Sequence, residues 1–79
     1  MTRAALTVYG RAYCHLCDDM VAALRARPDI ELTVVDVDSD PALEARYGEW
    51  VPVLMAGKRE ICHYHLDAAR LSEYLGEIG

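Results

Sequence analysis

Cysteine occurs only three times, so the thiols cannot all pair within one chain, and the stapling disulfide framework of many small secreted domains is not what this sequence encodes. Basic residues are also scarce. Eight Lys plus Arg face thirteen Asp plus Glu, and a net charge of -5 would repel a phosphate backbone, which excludes nucleic acid as the expected partner. Long apolar runs are missing. The longest, Trp50 to Ala56, is far short of the ~20 residues of a membrane helix and contains Pro52, and no apolar run near Met1 resembles a secretory signal. A cytoplasmic protein with no membrane partner is expected. With 79 residues there is no room for a linker and a second core, so a single domain, 1–79, is expected, and the chain is taken as a monomer.

What is present is enough apolar material to fold. At 53% hydrophobic and 27% charged the chain collapses rather than remaining disordered. A domain of this size buries only about 60% of its unfolded surface, so every apolar stripe is needed. Residues Leu6 to Tyr9 read as a strand ending at Gly10. Leu16, Met20 and Leu24 recur on one helical face with Val21 beside them, and Pro28 stops that helix. Ile30 to Val37 reads as a second strand with one partly exposed face. Asp40 before Pro41 is an N-cap followed by proline at the first helical position, and Gly48 ends a short second helix. Val51 to Ala56 and Arg59 to Tyr64, joined by Gly57-Lys58, form a hairpin. Asp67 caps a third helix with an apolar face of Leu71, Tyr74, Leu75 and Ile78, against which Leu66 staples. The order is β-α-β-α-β-β-α, and the helix between the first two strands makes them parallel through a right-handed crossover.

Cys14-His15-Leu16-Cys17 falls between the first strand and the first helix. Unpaired N–H groups and the positive end of the helix dipole favour a thiolate there and lower a cysteine pKa from about 8.5, whereas Asp18, one turn after Cys14, pushes it up, so the sign of the net shift stays open. Two sulfurs three positions apart close a disulfide with little rearrangement, which makes a reversible two-electron couple. The same spacing serves half of a zinc site, and Cys62, His63 and His65 supply further donors, so a metal-binding module, zinc or iron–sulfur, is the alternative. Strand alternation argues against that, because it sends Cys62 and His63 to opposite faces. Asp36-Val37-Asp38-Ser39-Asp40 has the opening rhythm of a calcium loop, but Pro41 and Tyr47 stand where Gly and Glu are required.

Arg11-Ala12-Tyr13-Cys14-His15-Leu16-Cys17, Trp50-Val51-Pro52 before a strand, Gly57 in a hairpin and Asp67 opening the last helix resemble glutaredoxin landmarks in order and spacing. The segments CHLCD and RYG-x-x-VPVL are most similar to small bacterial glutaredoxin-like proteins. The resemblance spans the whole chain. It implies an α/β thioredoxin/glutaredoxin-like fold, with a mixed four-stranded sheet in order 2-1-3-4 flanked by three helices. It implies Cys14 as attacking thiolate, Cys17 as resolving thiol and Pro52 in cis facing them, with a thiol–disulfide oxidoreductase that reduces protein or glutathione mixed disulfides and other low-molecular-weight disulfides. A catalytically weak adaptor on the same fold is a further alternative.

Other roles follow from the resemblance. Arg11 stands where glutaredoxins carry a lysine that stabilises the thiolate and meets the glutathione carboxylate. His15 replaces the usual proline, and its imidazolium would favour the reduced form, the alternative being an exposed histidine with no tuning role. A cis Val51-Pro52 bond would offer the Val51 backbone to an extended substrate. Trp50 lines a substrate groove or covers the sheet edge. Asp67 meets the glutathione ammonium or simply caps its helix. The Gly-Gly pair that admits glutathione before the last helix is absent, with His63-Tyr64-His65-Leu66 filling that stretch. No resident cofactor is expected, with glutathione as a co-substrate at most.

Overall fold

The computed structural model describes residues 3–78. Its elements are β1 (Ala4–Gly10), α1 (His15–Arg25), β2 (Ile30–Asp36), a 3₁₀ turn (Val37–Ser39), α2 (Pro41–Tyr47), β3 (Val53–Ala56), β4 (Arg59–His63) and α3 (Ala68–Ile78). The sheet order is β2-β1-β3-β4, with β1 parallel to β2 and antiparallel to β3. This is the expected α/β thioredoxin-like arrangement.

Burial along β1 alternates, with Ala4, Leu6, Val8 and Gly10 turned inward. Leu6 and Val8 form one core cluster with Leu54 of β3, Cys62 of β4, Met20 and Leu24 of α1, and Leu71 of α3. Helices α1 and α3 therefore cover the same face. Tyr9 has the opposite parity and stacks on Tyr47 of α2, with ring centroids 4.3 Å apart, so α2 covers the other face. A bulge between Leu54 and Met55 makes Ile61 an extra residue in β4, which explains why Ile61 and Cys62 are both buried although they are adjacent.

Local chemistry sets the boundaries. Asp40 Oδ1 accepts from the Ala42 N–H at 2.9 Å, and Asp67 Oδ1 from the Arg70 N–H at 3.0 Å, so both are the expected N-caps. Asp36 accepts from the Asp38 N–H at 2.8 Å, so this acid serves the 3₁₀ turn. Leu66 packs against the cluster that contains Leu71, as a staple requires.

Four expectations are corrected. The inward stripe of α1 is Cys17, Met20 and Leu24, whereas Leu16 is 38% exposed, because the face that meets the sheet starts one residue later. Ile78 is 54% exposed, since the last turn of α3 has run past the sheet. The third strand begins at Val53 rather than Val51, because Pro52 has no N–H to give to a ladder. Val37 leaves β2 to open the 3₁₀ turn, where it is fully buried.

Candidate active site

Strand β1 runs toward the end of the sheet where α1 begins, and the chain turns there through Ala12 and Tyr13. Tyr13 adopts a left-handed φ of 59° and is fully exposed. This conformation costs an L-residue roughly 1–2 kcal/mol. It delivers Cys14 in extended conformation as the N-cap of α1. The cap is made by sulfur: the Cys17 N–H donates to Cys14 Sγ at 3.2 Å, and the Cys14 carbonyl accepts the first helical bond from Asp18 at 3.0 Å. One otherwise unsatisfied N–H of the helix start is thus aimed at the Cys14 sulfur.

The Cys14 and Cys17 sulfurs are paired, with Cα atoms 5.2 Å apart. Cys14 is half-buried and Cys17 is 4% exposed, so only the first sulfur is within reach of solvent. Space for the second comes from Gly10, which the sequence marks only as the end of a strand. A Cβ on Gly10 would lie 3.2 Å from Cys17 Sγ and 3.3 Å from Cys17 Cβ, so the missing side chain makes room for the inner sulfur. The available signal was a glycine at the end of a strand, which often marks a close approach.

The Val51–Pro52 bond is cis, and Pro52 is buried. Tyr9 pairs with Val53, so the register carried one residue further sets Pro52 alongside Gly10, at the cysteine end of the sheet. Pro52 is held there by its carbonyl, which accepts the Tyr64 N–H at 2.9 Å, while Tyr64 Oη donates to the Glu49 carbonyl at 3.1 Å. Among the described residues the Val51 N–H and C=O make no backbone hydrogen bond. Trp50 is 46% exposed and packs edge-on against His63, at 5.4 Å, and beside Tyr64, at 5.9 Å. It lines a groove of about 440 Å³ on the α2 face, together with Tyr47, Val53, Met55 and His63.

Arg11 is ion-paired to two acids far along the chain and lines the same groove as Cys17. Its guanidinium donates to Asp38 Oδ1 at 3.2 Å and Glu44 Oε1 at 3.4 Å, residues 27 and 33 positions away. Its Nε is buried with no partner among the described residues. His15 is exposed on the first turn of α1, and Asp67 caps α3.

The donors of a metal site do not converge. Among the described residues no three His, Cys, Asp or Glu side chains are grouped to hold a metal ion. Cys62 is a core thiol, 4% exposed, and its burial pushes the pKa up. His63 lies on the other side of β4, with Nδ1 2.9 Å from Glu60 Oε2.

The fold recurs in solved structures. Protein Ne2328 from Nitrosomonas europaea is 39% identical, with 94% of this chain and 93% of that one covered and a TM-score of 0.82. Protein XcR50 from Xanthomonas campestris is 42% identical over 91% of this chain and 96% of its own, with a TM-score of 0.74. Thioredoxin 1 from Thermosipho africanus shares the fold at 19% identity and a TM-score of 0.57, with 94% of this chain and 97% of that one covered. No curated protein matches the chain. The family described as "Glutaredoxin-like domain (DUF836)" matches residues 5–76, nearly the whole chain, which therefore belongs to this glutaredoxin-like family.

Proposed function

We propose that this protein is a cytoplasmic thiol–disulfide oxidoreductase in which Cys14 attacks and Cys17 resolves. One observation carries the proposal. The reachable sulfur is the N-cap of α1, accepts a backbone N–H, and has a second sulfur paired with it. A hydrogen bond donated to sulfur, together with the helix dipole, favours the anion over the thiol, and the anion is the nucleophile.

In the first step the Cys14 thiolate attacks one sulfur of a substrate disulfide. The Cys14–substrate bond forms, the substrate S–S bond breaks, and the departing thiolate takes a proton from solvent. Cys17, deprotonated, then attacks Cys14 Sγ, releasing the second substrate thiol and closing the Cys14–Cys17 disulfide. Two electrons pass from the dithiol to the substrate, and two equivalents of a small monothiol, or one dithiol, return them. Val51, with its backbone groups free, pairs with an extended substrate beside Pro52, while Trp50 walls the approach. His15, exposed beside the attacking sulfur, adds positive charge when protonated. Arg11 acts by holding the loop before Cys14 to Asp38 and Glu44. Asp67, in the β4–α3 connection, keeps its capping role and also meets a substrate ammonium.

Cys14→Ser should abolish exchange with hydroxyethyl disulfide, and Cys17→Ser should halt after the first step and accumulate a substrate adduct visible by intact mass. Unchanged turnover in Cys14→Ser would sink the proposal.

A further inference from the structure

Because β1 and β2 are parallel and β3 runs antiparallel to β1, three connections gather at one end of the sheet: β1 to α1, β2 to β3, and β4 to α3. Cys14 is in the first. These segments, counted with the first turns of α1 and α3 and with all of α2, are residues 10–19, 36–52 and 63–70. They hold the carboxylates of Asp18 and Asp19, four more from Asp36 to Glu44, and those of Glu49 and Asp67, against three cations, Arg11, Arg46 and Arg70. The remainder of the chain carries five charges of each sign, so the whole net charge of -5 lies at the cysteine end. Of the three cations there, Arg11 is already taken by Asp38 and Glu44, and Arg46 lies over the Tyr47 ring at 5.5 Å.

The same end is apolar at close range. Six large apolar side chains are exposed among the described residues, and four of them, Tyr13, Leu16, Trp50 and Tyr64, belong to these connections. Tyr13 and Leu16 flank Cys14 in sequence, while Trp50 and Tyr64 flank the Val51–Pro52 segment, with its unpaired Val51 backbone. A substrate reaching Cys14 thus approaches the end of the molecule that carries exposed aromatic and aliphatic groups together with its excess of negative charge.

We infer that the disulfides reduced by this protein are those of cationic polypeptides, with basic residues beside the cysteine and an apolar residue to cover Tyr13 or Trp50. Glutathione disulfide, an anion, is selected against. The inference rests on the exchange chemistry proposed above, and the site is that of Cys14; charge and apolar surface specify what enters it. Charge of one sign around a reactive centre raises the rate of encounter with the opposite sign by 10- to 1,000-fold and is screened by salt. The reaction is the two-step exchange already given, with the peptide disulfide as oxidant and the Cys14–Cys17 dithiol as reductant.

The test uses the pre-reduced full chain in single turnover against two disulfide-linked peptide dimers. One is of the type Lys-Lys-Cys-Leu-Lys, the other has glutamate in place of each lysine, and hydroxyethyl disulfide is the uncharged third substrate. Each second-order rate constant is divided by that of dithiothreitol with the same disulfide, which removes intrinsic reactivity and the charge of the thiolate itself. The expected result is a preference for the lysine peptide of about tenfold or more at low ionic strength. It should shrink to within about twofold in 1 M salt, and shrink at low salt in the double variant Asp19→Lys/Glu49→Lys. Equal normalised constants for both peptides, or a preference indifferent to salt, would overturn the inference while leaving the exchange chemistry intact. Failure to reduce any of the three disulfides would instead refute the exchange chemistry, and the inference with it.

Discussion

Gly10→Ala is the sharpest probe of how the fold accommodates the inner sulfur. Gly10 has no left-handed φ, so alanine meets no backbone penalty there, and on propensity alone the change should stabilise the strand by about 0.5–1 kcal/mol. The new methyl would stand 3.2 Å from Cys17 Sγ and 3.3 Å from Cys17 Cβ, inside the ~3.5–4.0 Å of comfortable contact. Cys17 must yield by a few tenths of an ångström in a buried position, and overpacking of this kind costs about 1–3 kcal/mol. Taking the middle of each range, the net expectation is a loss of about 1 kcal/mol, read from urea denaturation of the reduced protein. Combined with Cys17→Ala, which removes the closer of the two contacts, the loss should shrink, giving a coupling of about 1 kcal/mol. Resolution should slow as well, so a Cys14 adduct should persist longer in stopped-flow or quenched mass measurements. A Gly10→Ala protein as stable as the parent, or a coupling indistinguishable from zero, would refute the steric account.

Two further outcomes follow from single residues. Burial raises the Cys62 pKa, so native protein should resist alkylation at Cys62 near pH 8 and react once denaturant is added. The sign of the linked pH effect is fixed: the unfolded thiol ionises near ~8.5 and the folded one only higher, so stability falls as pH rises above that value. Oxidised Cys62→Ala should lack that part of the alkaline loss, and identical pH profiles for the two proteins would contradict the assignment. Tyr13→Gly should stabilise the fold by about 0.5–1 kcal/mol, the relief of a left-handed L-residue less the extra freedom of unfolded glycine. A lower melting temperature in this variant would show that the exposed ring makes contacts that outweigh its strain.

Much of the architecture was legible because local signals were strong. Asp40-Pro41, Gly57-Lys58 and Asp67 marked an entry, a turn and a cap that the structure retains. The cis Val51–Pro52 bond was not legible from residue physics, which favours trans; the likeness to glutaredoxins carried it. Periodicity failed where it had to resolve a single position. Leu16-Met20-Leu24 and Cys17-Met20-Leu24 both fit a helical face, and only the sheet decides that the cysteine turns in and the leucine out. The partners of Arg11 were invisible because both lie far along the chain, and the concentration of charge at one end emerges only once the strand directions are known.

The Gly57–Lys58 turn lies at the opposite pole from the cysteines, with open space around Gly57. Lys58 is the one lysine in the sequence, so amine-directed chemistry other than at the α-amino group has a single address there. A protein tethered through it to a bead or sensor chip would stand with its thiols outward, every molecule in the same orientation, ready for capture of whatever it reduces.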